Sequence, residues 1–196
     1  MKTLLIAPAW RSPFREATRK RKALFPPLAL PLLAALTPEG VHVSLVDEAV
    51  ERVDLDAEVD LVGISAMTAQ APRAYEIADA FRSRGVKVVL GGMHPSARPE
   101  EAGEHADAVV VGEAEAAWPR LLEDASRGRL QPVYNGDSRP DLAEVPVPRR
   151  SLLKQDAYVT TGLVQASRGC PFACSFCAVS DFFGRSYRFR PVERVI

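Results

Sequence analysis

Three cysteines near the end of the chain have the spacing that most suggests chemistry. Cys170, Cys174 and Cys177 are the only cysteines in the sequence and follow a CxxxCxxC pattern. Three thiolates in one loop can hold a small iron–sulfur cluster and leave one iron of a four-iron cubane without a protein ligand. An open coordination position is what a metal centre needs to act on another molecule. Gly169 and Pro171, on either side of the first cysteine, are typical of a loop.

Two other uses of cysteine fit this pattern less well. A disulfide framework favours an even number of cysteines in a secreted protein. A structural zinc ion takes four ligands, usually as paired cysteines or cysteines with histidines. No histidine follows His105, so a fourth zinc ligand would have to come from the other half of the chain. The number and spacing of the thiolates therefore favour an iron–sulfur site.

The cysteine motif, with Phe176 directly before its last cysteine, resembles the signature of radical S-adenosylmethionine (radical SAM) enzymes. The resemblance implies that Cys170, Cys174 and Cys177 hold a [4Fe-4S] cluster whose open iron binds S-adenosylmethionine. In that family one electron cleaves the sulfonium to methionine and a 5′-deoxyadenosyl radical, so an electron donor such as flavodoxin or ferredoxin is expected. Phe176 is implied as a contact near the adenine of S-adenosylmethionine, with ordinary loop packing as the alternative.

The composition is that of an ordinary globular protein. Of 196 residues, 47% are hydrophobic and 26% are charged, which predicts one domain or slightly more. Basic and acidic residues number 25 each, and this balance argues against nucleic acid or an anionic membrane as the main partner. The longest apolar run, 28–36, is too short to span a bilayer. No secretory signal is recognisable, so we expect a reducing, cytoplasmic location that suits free thiolates.

Five short apolar runs in the first part of the chain predict strands. They are Thr3–Ala7, Val41–Asp47, Leu61–Ser65, Val86–Leu90 and Ala108–Val111. Most are continuous rather than alternating, as in parallel sheets covered by helices on both faces. Helical patterns lie between them, at 28–36, 74–81, 99–106 and 114–127. We therefore predict an α/β fold over residues 1–134, a doubly wound parallel sheet of the Rossmann-like type.

The carboxyl ends of the predicted strands form the expected ligand-binding edge of such a sheet. Gly91 and Gly92 would let a bulky ligand approach the backbone, since neither carries a side chain. Ser65 and Thr68 supply hydroxyls that can donate or accept hydrogen bonds. Because turn glycines and hydroxyls follow strands in many α/β proteins, the pattern predicts a ligand site here without identifying the ligand.

Three segments resemble the cobalamin-binding domain that precedes the barrel in many radical SAM proteins: VGISAMT (62–68), VVLGGMHP (88–95) and VVVGEAEAAWPRLL (109–122). The resemblance implies cobalamin contacts at the strand ends, from Ser65, Thr68, Gly91, Gly92, Gly112 and Glu113. The chain departs from the family's DxHxxG motif, because residues 8–25 contain no histidine. A histidine from that loop therefore cannot be the lower cobalt ligand, and a degenerate domain that binds no cobalamin stays open. His94 could make a polar contact with the ligand, but we favour a surface histidine without a role.

The remaining segments are interpreted from composition. Five basic residues follow the first strand, and we favour a solvated loop over an anion site for them: Arg15, Arg19, Lys20, Arg21 and Lys22. Residues 135–158, with three prolines, are predicted to be a linker that ends in a short docking segment, 151–158. Residues 159–196 would begin a radical SAM domain, with a first strand at 159–166 and a helix from Pro191.

Three functions are compatible with these patterns. The first is a cobalamin-dependent radical SAM enzyme that acts on a small molecule, as a methyltransferase or a rearranging enzyme. Only 19 residues follow Cys177, far fewer than a barrel needs, so the sequence is expected to be the amino-terminal part of such an enzyme or a truncated gene product. The second is a cobalamin-binding module without catalysis. The third, an iron–sulfur electron carrier, is disfavoured because a carrier needs a fully ligated cluster.

Overall fold

The computed structural model of the chain describes residues 1–10, 22–136 and 139–195. Within these residues one six-stranded sheet has the order β2-β1-β3-β4-β5-β6, and every neighbouring pair is parallel. Its strands are β1 (Lys2–Ala7), β2 (His42–Asp47), β3 (Leu61–Ser65), β4 (Lys87–Gly91), β5 (Ala108–Gly112) and β6 (Val133–Gly136). The predicted doubly wound parallel sheet is confirmed, and its first five strands begin and end within one residue of the predicted bounds.

Helices cover both faces of this sheet. They are α1 (Ala29–Leu36), α2 (Ala71–Ser83), α3 (Met93–Ala97), α4 (Pro99–His105) and α5 (Ala117–Ser126). On one face, α1 and α5 pack on the sheet around Trp118. On the other face, α2 and α4 pack on it around Phe81. No helix in the described part of the chain combines the length and hydrophobicity needed to cross a membrane.

Helix α2 shows how the sequence pattern becomes packing. Pro72 lies in its first turn, where a missing backbone N–H costs nothing. Ala74, Ile77, Ala78 and Phe81 then recur on one face, and all four are fully buried. Burial of a side chain as large as that of Phe81 stabilises the fold by roughly 1.5–3 kcal/mol. The predicted helical periodicity is confirmed here.

Two elements of the sheet domain were not predicted from the sequence. Strand β6 has only four residues, and its polar Asn135 and Gly136 hide its strand character. Tyr134 nevertheless is fully buried, and its hydroxyl donates a hydrogen bond to Asp124 at 3.0 Å. Helix α3 is a single short turn of five residues after Gly92.

The segment after β6 packs against the sheet domain more closely than a free linker would. Leu142 and Val145 are buried. Two 3-10 turns, Arg150–Leu152 and Gln155–Ala157, lead to the buried Tyr158. The Tyr158 hydroxyl donates to the Asp47 carboxylate at 3.0 Å, so residues 151–158 do dock onto the domain. The domain boundaries themselves stay a prediction.

The predicted strand at 159–166 is wrong. The structure shows no strand there and instead has β7 (Ser167–Arg168), α6 (Val179–Phe183) and β8 (Arg188–Phe189). Strands β7 and β8 pair antiparallel, whereas a barrel unit would require a parallel neighbour. Segment 159–166 has strand-like residues but no neighbouring strand among the described residues. The helix predicted from Pro191 is a 3-10 turn, Val192–Arg194.

Candidate functional site

The predicted ligand loops meet at one edge of the sheet. Ser65 at the end of β3 is the register partner of Gly91 at the end of β4. Gly112 ends β5 and pairs with Gly136 of β6. Because all these strands run in the same direction, their carboxyl ends form one continuous edge. The structure therefore brings Ser65, Gly91 and Gly112 together, as the sequence predicts.

A tight turn after β4 fixes the shape of this edge. Gly92 has a positive φ of 97°, and a Cβ there would lie 2.8 Å from the carbonyl oxygen of Ala66. Only glycine fits this conformation and this contact without strain. The Ser96 hydroxyl of α3 donates to the Gly92 carbonyl at 2.7 Å and accepts from the Gly112 N–H at 2.9 Å. Ser96, which sequence reasoning missed, thus joins the loops that follow β4 and β5.

A cavity of about 180 Å³ opens at this edge, on the α1 and α5 side of the sheet. Its inner wall is apolar, with Leu33, Val89, Val110 and Trp118 among the lining residues. Ser65, Gly91, Gly92, Gly112 and Glu113 line it as well, so five of the six residues implied as cobalamin contacts surround one space. The volume is below the roughly 300–1,000 Å³ of drug-sized pockets, so the cavity can admit only part of a large cofactor.

Thr68 lies apart from the other five residues. It begins a 3-10 turn, Thr68–Gln70, and is exposed. It is absent from the residues that line the cavity. Its proposed contact with cobalamin would therefore require a ligand that extends well outside the cavity.

The segment that carries the cysteines completes the cavity wall. Gln165 and Arg168 line it before the CxxxCxxC motif, and Phe182 and Phe183 of α6 line it after the motif. The Arg168 guanidinium also lies over the Phe183 ring, 5.6 Å from its centre. The cavity is thus shared between the sheet domain and the segment around the cysteines.

A buried ion-pair network joins these two parts. Arg168 donates a hydrogen bond to one carboxylate oxygen of Glu113, and Arg188 donates to the other. Only 2% of the Glu113 side chain and 4% of the Arg168 side chain are exposed. Arg168 also lies 2.6 Å from Glu115. Glu113 is therefore occupied by two arginines, in addition to lining the cavity.

The geometry of the β7–β8 ribbon explains why Glu113 is needed. Arg168 and Arg188 are directly opposite one another in the register, and like charges in that arrangement destabilise a ribbon. The Glu113 carboxylate binds both and compensates their repulsion. Burial by itself lowers the pKa of Arg168, but its hydrogen bonds and charge interactions with Glu115 and Glu113 outweigh burial and raise it. Arg168 therefore stays charged inside the protein.

The cysteine loop is partly anchored and partly open. Gly169 has a φ of 86°, and a Cβ there would lie 2.0 Å from the Ser186 carbonyl oxygen, so the loop passes too close for any other residue. The Cys170 N–H donates to the Gly184 carbonyl at 3.0 Å. Cys170 and Cys177 are half-buried, while Cys174 is exposed.

The sulfur donors fit an iron–sulfur cluster by their chemistry, because soft thiolates select such clusters. Within the described ranges, however, no three Cys, His, Asp or Glu side chains lie close enough together to hold a metal ion. Cluster binding would therefore require the loop to draw its three thiolates together. Phe176 has 91% of its surface exposed, so its role near an adenine stays a prediction.

His94 differs from its interpretation as a surface histidine, because it is buried. Its Nε2 lies 3.0 Å from the Tyr75 hydroxyl oxygen. The Tyr75 hydroxyl donates its hydrogen bond to Glu101 at 3.1 Å. The pKa of Tyr75 is raised to about 12, chiefly by burial and next by this bond to Glu101. His94 faces α2 and α4 and does not line the cavity. Its local sequence gave no sign of these partners.

The basic loop after β1 lies almost wholly outside the described residues. Of its five basic side chains only that of Lys22 is described, and it is exposed. The rest of the site is compatible with cobalamin, because a mainly apolar cavity with a few polar lining residues opens at the ligand edge of the sheet.

Comparison with known families agrees with this geometry. A model of the B12 binding domain matches residues 16–122, more than half of the chain. The chain belongs to the B12-binding domain family. The matched range contains the five cavity-lining residues implied as cobalamin contacts, and it ends before the cysteine motif.

Similar curated proteins extend beyond this domain. The chain is 44% identical over 168 residues to the bacteriochlorophyllide d C-8(2)-methyltransferase of Chlorobaculum tepidum, covering 82% of this chain and 37% of that protein. It is 31% identical to the hopanoid C-2 methylase of Rhodopseudomonas palustris, and the match covers 89% of this chain and 34% of that protein. It is 29% identical to the anaerobic magnesium-protoporphyrin IX monomethyl ester cyclase of Rubrivivax gelatinosus, and the match covers 70% of this chain and 30% of that protein. The chain thus spans well under half the length of these relatives.

Proposed function

We propose that this chain binds cobalamin at the cavity and belongs to a radical SAM enzyme that transfers a methyl group to a carbon of a small-molecule substrate. In this proposal Cys170, Cys174 and Cys177 hold a [4Fe-4S] cluster, and S-adenosylmethionine binds beside it. When bound, the cluster supplies the electron that cleaves S-adenosylmethionine, and cobalamin carries the methyl group.

One observation carries the proposal: the same cavity is lined by the carboxyl edge of a B12-binding domain and by the residues on both sides of the cysteine motif. The buried Arg168–Glu113 pair fixes that arrangement two residues before Cys170. Two cofactors that must exchange a group or an electron have to be held close together. This arrangement supports a cysteine loop that serves a cofactor bound at the sheet edge.

The chain's own residues have distinct parts in this proposal. The apolar wall, including Trp118, excludes water from the cofactor bound there. Ser65 offers a hydroxyl in the cavity wall, and Gly91 and Gly92 offer backbone without side chains. Glu113 holds the β7–β8 ribbon through Arg168 and Arg188 rather than acting on a substrate.

The reaction class rests on relatives named as methyltransferases or methylases. One relative is named as a cyclase, so ring closure is the second candidate. An electron donor such as flavodoxin or ferredoxin would be required in either case.

The decisive experiment uses the full-length protein, reconstituted anaerobically with iron, sulfide and hydroxocobalamin. With S-adenosylmethionine labelled in its methyl group and a chemical reductant, it should form 5′-deoxyadenosine and pass the label to bacteriochlorophyllide d, the class of substrate named for one relative. Cys174→Ala should lose most bound iron and all 5′-deoxyadenosine but keep cobalamin. Unchanged iron in Cys174→Ala would refute the ligand assignment. Labelled methyl transfer without cobalamin would refute the role of the cavity.

A further inference from the structure

A second, larger cavity adjoins the first one. Its volume is about 450 Å³, within the range of small-molecule sites. Leu28, directly before α1, and Leu32 of α1 line both cavities together with Gln165. The remaining wall comes from segments 147–150, 161–164 and 190–195. None of the patterns in the sequence assigns a ligand to this space.

Three arginines line this second cavity: Arg150, Arg190 and Arg194. Each donates to a main-chain carbonyl at 2.8–3.0 Å, in the pairs Arg150–Leu163, Arg190–Val145 and Arg194–Ala143. A carbonyl oxygen orients a guanidinium but does not neutralise its charge. Each guanidinium has five N–H donors, so these bonds leave donors free to bind a ligand.

The arginines of this cavity have no carboxylate paired with them in the described part of the chain. Within residues 1–10, 22–136 and 139–195, none of the three arginines forms an ion pair, whereas Arg168 nearby has two. Glu193 also lines the cavity and is exposed, as Arg194 is, so the lining carries three positive side chains and one negative one. The pKa of Arg190 is lowered, first by burial and then by the charges of Arg168, Arg194 and Arg150, with Glu115 opposing them.

We propose that this second cavity binds an anionic small molecule through carboxylate or phosphate oxygens, with Arg190 as the central ligand-binding residue. The planar guanidinium fork matches such oxyanions and forms charge-assisted hydrogen bonds with them. The Thr161 hydroxyl adds a further donor on the wall. The anionic group has two sources, an acidic ligand separate from cobalamin or the phosphodiester of a cobalamin tail that reaches past Gln165.

The test is calorimetric titration of the full-length protein with inorganic pyrophosphate, at an ionic strength held constant with sodium chloride. Wild type should bind, and Arg190→Gln should weaken binding by about tenfold or more, the loss expected for one charge-assisted hydrogen bond. Arg190→Lys should restore part of the affinity. The matched control is Arg127→Gln, which removes the same charge from an exposed pair at the C-terminal end of α5 and should bind as wild type does.

Arg194→Gln provides a second variant in case Arg190→Gln fails to fold, because Arg194 is exposed. It too should weaken pyrophosphate binding while leaving the thermal midpoint unchanged. A second titration, on protein saturated with hydroxocobalamin, separates the sources. If the cobalamin phosphodiester occupies the second cavity, the saturated protein no longer binds pyrophosphate. If pyrophosphate binding is unchanged, the natural occupant of the cavity is a separate acidic ligand. No binding by wild type, or an equal loss in Arg127→Gln, would overturn the proposal.

Discussion

Glu113 should contribute more to stability than any exposed carboxylate, and the substitution Glu113→Gln tests this. The change keeps the shape of the side chain and removes its charge. The amide that replaces the carboxylate still offers its oxygen as an uncharged acceptor for one arginine, but Arg168 and Arg188 would lose the carboxylate that they share. Glu115 would still pair with Arg168, while Arg188 has no other carboxylate partner in the described part of the chain.

The magnitude follows from burial and from the number of bonds. A hydrogen bond to a charged group contributes about 1.5–3 kcal/mol, and removing one partner of a buried pair costs about 3–5 kcal/mol. Because one hydrogen bond to the amide oxygen and the Arg168–Glu115 pair remain, we expect a loss of about 2–4 kcal/mol for Glu113→Gln. The facing positions of Arg168 and Arg188 place this loss in the β7–β8 ribbon.

The assay is urea denaturation followed by circular dichroism, with Glu123→Gln as the matched control. Glu123 pairs with Arg127 on the surface, with 55% of each side chain exposed, and such a pair contributes at most about 1 kcal/mol. A thiol reagent gives a local readout, because the half-buried Cys170 should react faster once the ribbon loosens. If Glu113→Gln lost no more stability than Glu123→Gln and Cys170 reacted at the same rate, the bridging role of Glu113 would be refuted.

Three other predictions concern separate parts of the molecule. Burial raises the pKa of Asp47 although hydrogen bonds from Ala49 and Tyr158 lower it. The stabilisation of the fold by Asp47 is therefore present at acid pH and is lost as the pH rises through the folded-state pKa. Asp47→Asn should therefore gain stability relative to wild type from pH 4 to pH 7 in urea denaturation, whereas the exposed control Asp56→Asn should not. Tyr75→Phe should lose about 1 kcal/mol, since the buried His94 loses its hydroxyl partner; an equal loss in the exposed control Tyr187→Phe would contradict this. After anaerobic reconstitution, Cys177→Ala should lose most bound iron by colorimetric assay, while Cys177→Ser should keep more, because serine retains an oxygen donor.

The sheet was predictable because its signal is local. Continuous apolar runs such as 61–65 and 86–90 indicate buried parallel strands, and the helical period of α2 indicates which face it buries. Once the strands are known to be parallel, the meeting of Ser65 and Gly91 at one edge follows. Strand β6 is not predictable in this way, because it has four residues and two of them, Asn135 and Gly136, carry no apolar side chain.

The rest of the site depends on contacts between residues far apart in the sequence. Arg168 and Glu113 are 55 positions apart, and Arg188 and Glu113 are 75 apart, so no local pattern announces their pairing. The strand predicted at 159–166 is wrong because β-branched residues indicate only a local preference for extended backbone. A strand also needs a neighbouring strand to pair with. The burial of His94 likewise depends on Tyr75, which comes from another helix.

Titration with hydroxocobalamin, followed by visible absorption, tests the central claim that the cavity at the sheet edge binds cobalamin. Wild type should bind without the spectrum of a histidine-ligated cobalt, because residues 8–25 contain no histidine. Ala114→Trp fills the cavity that Ala114 lines and should weaken binding by about tenfold or more, as loss of a buried contact of about 1.4 kcal/mol would. Ala116→Trp, at an exposed position two residues away, should bind as wild type does. Equal affinities for the two tryptophan variants, or a histidine-ligated spectrum, would contradict the account.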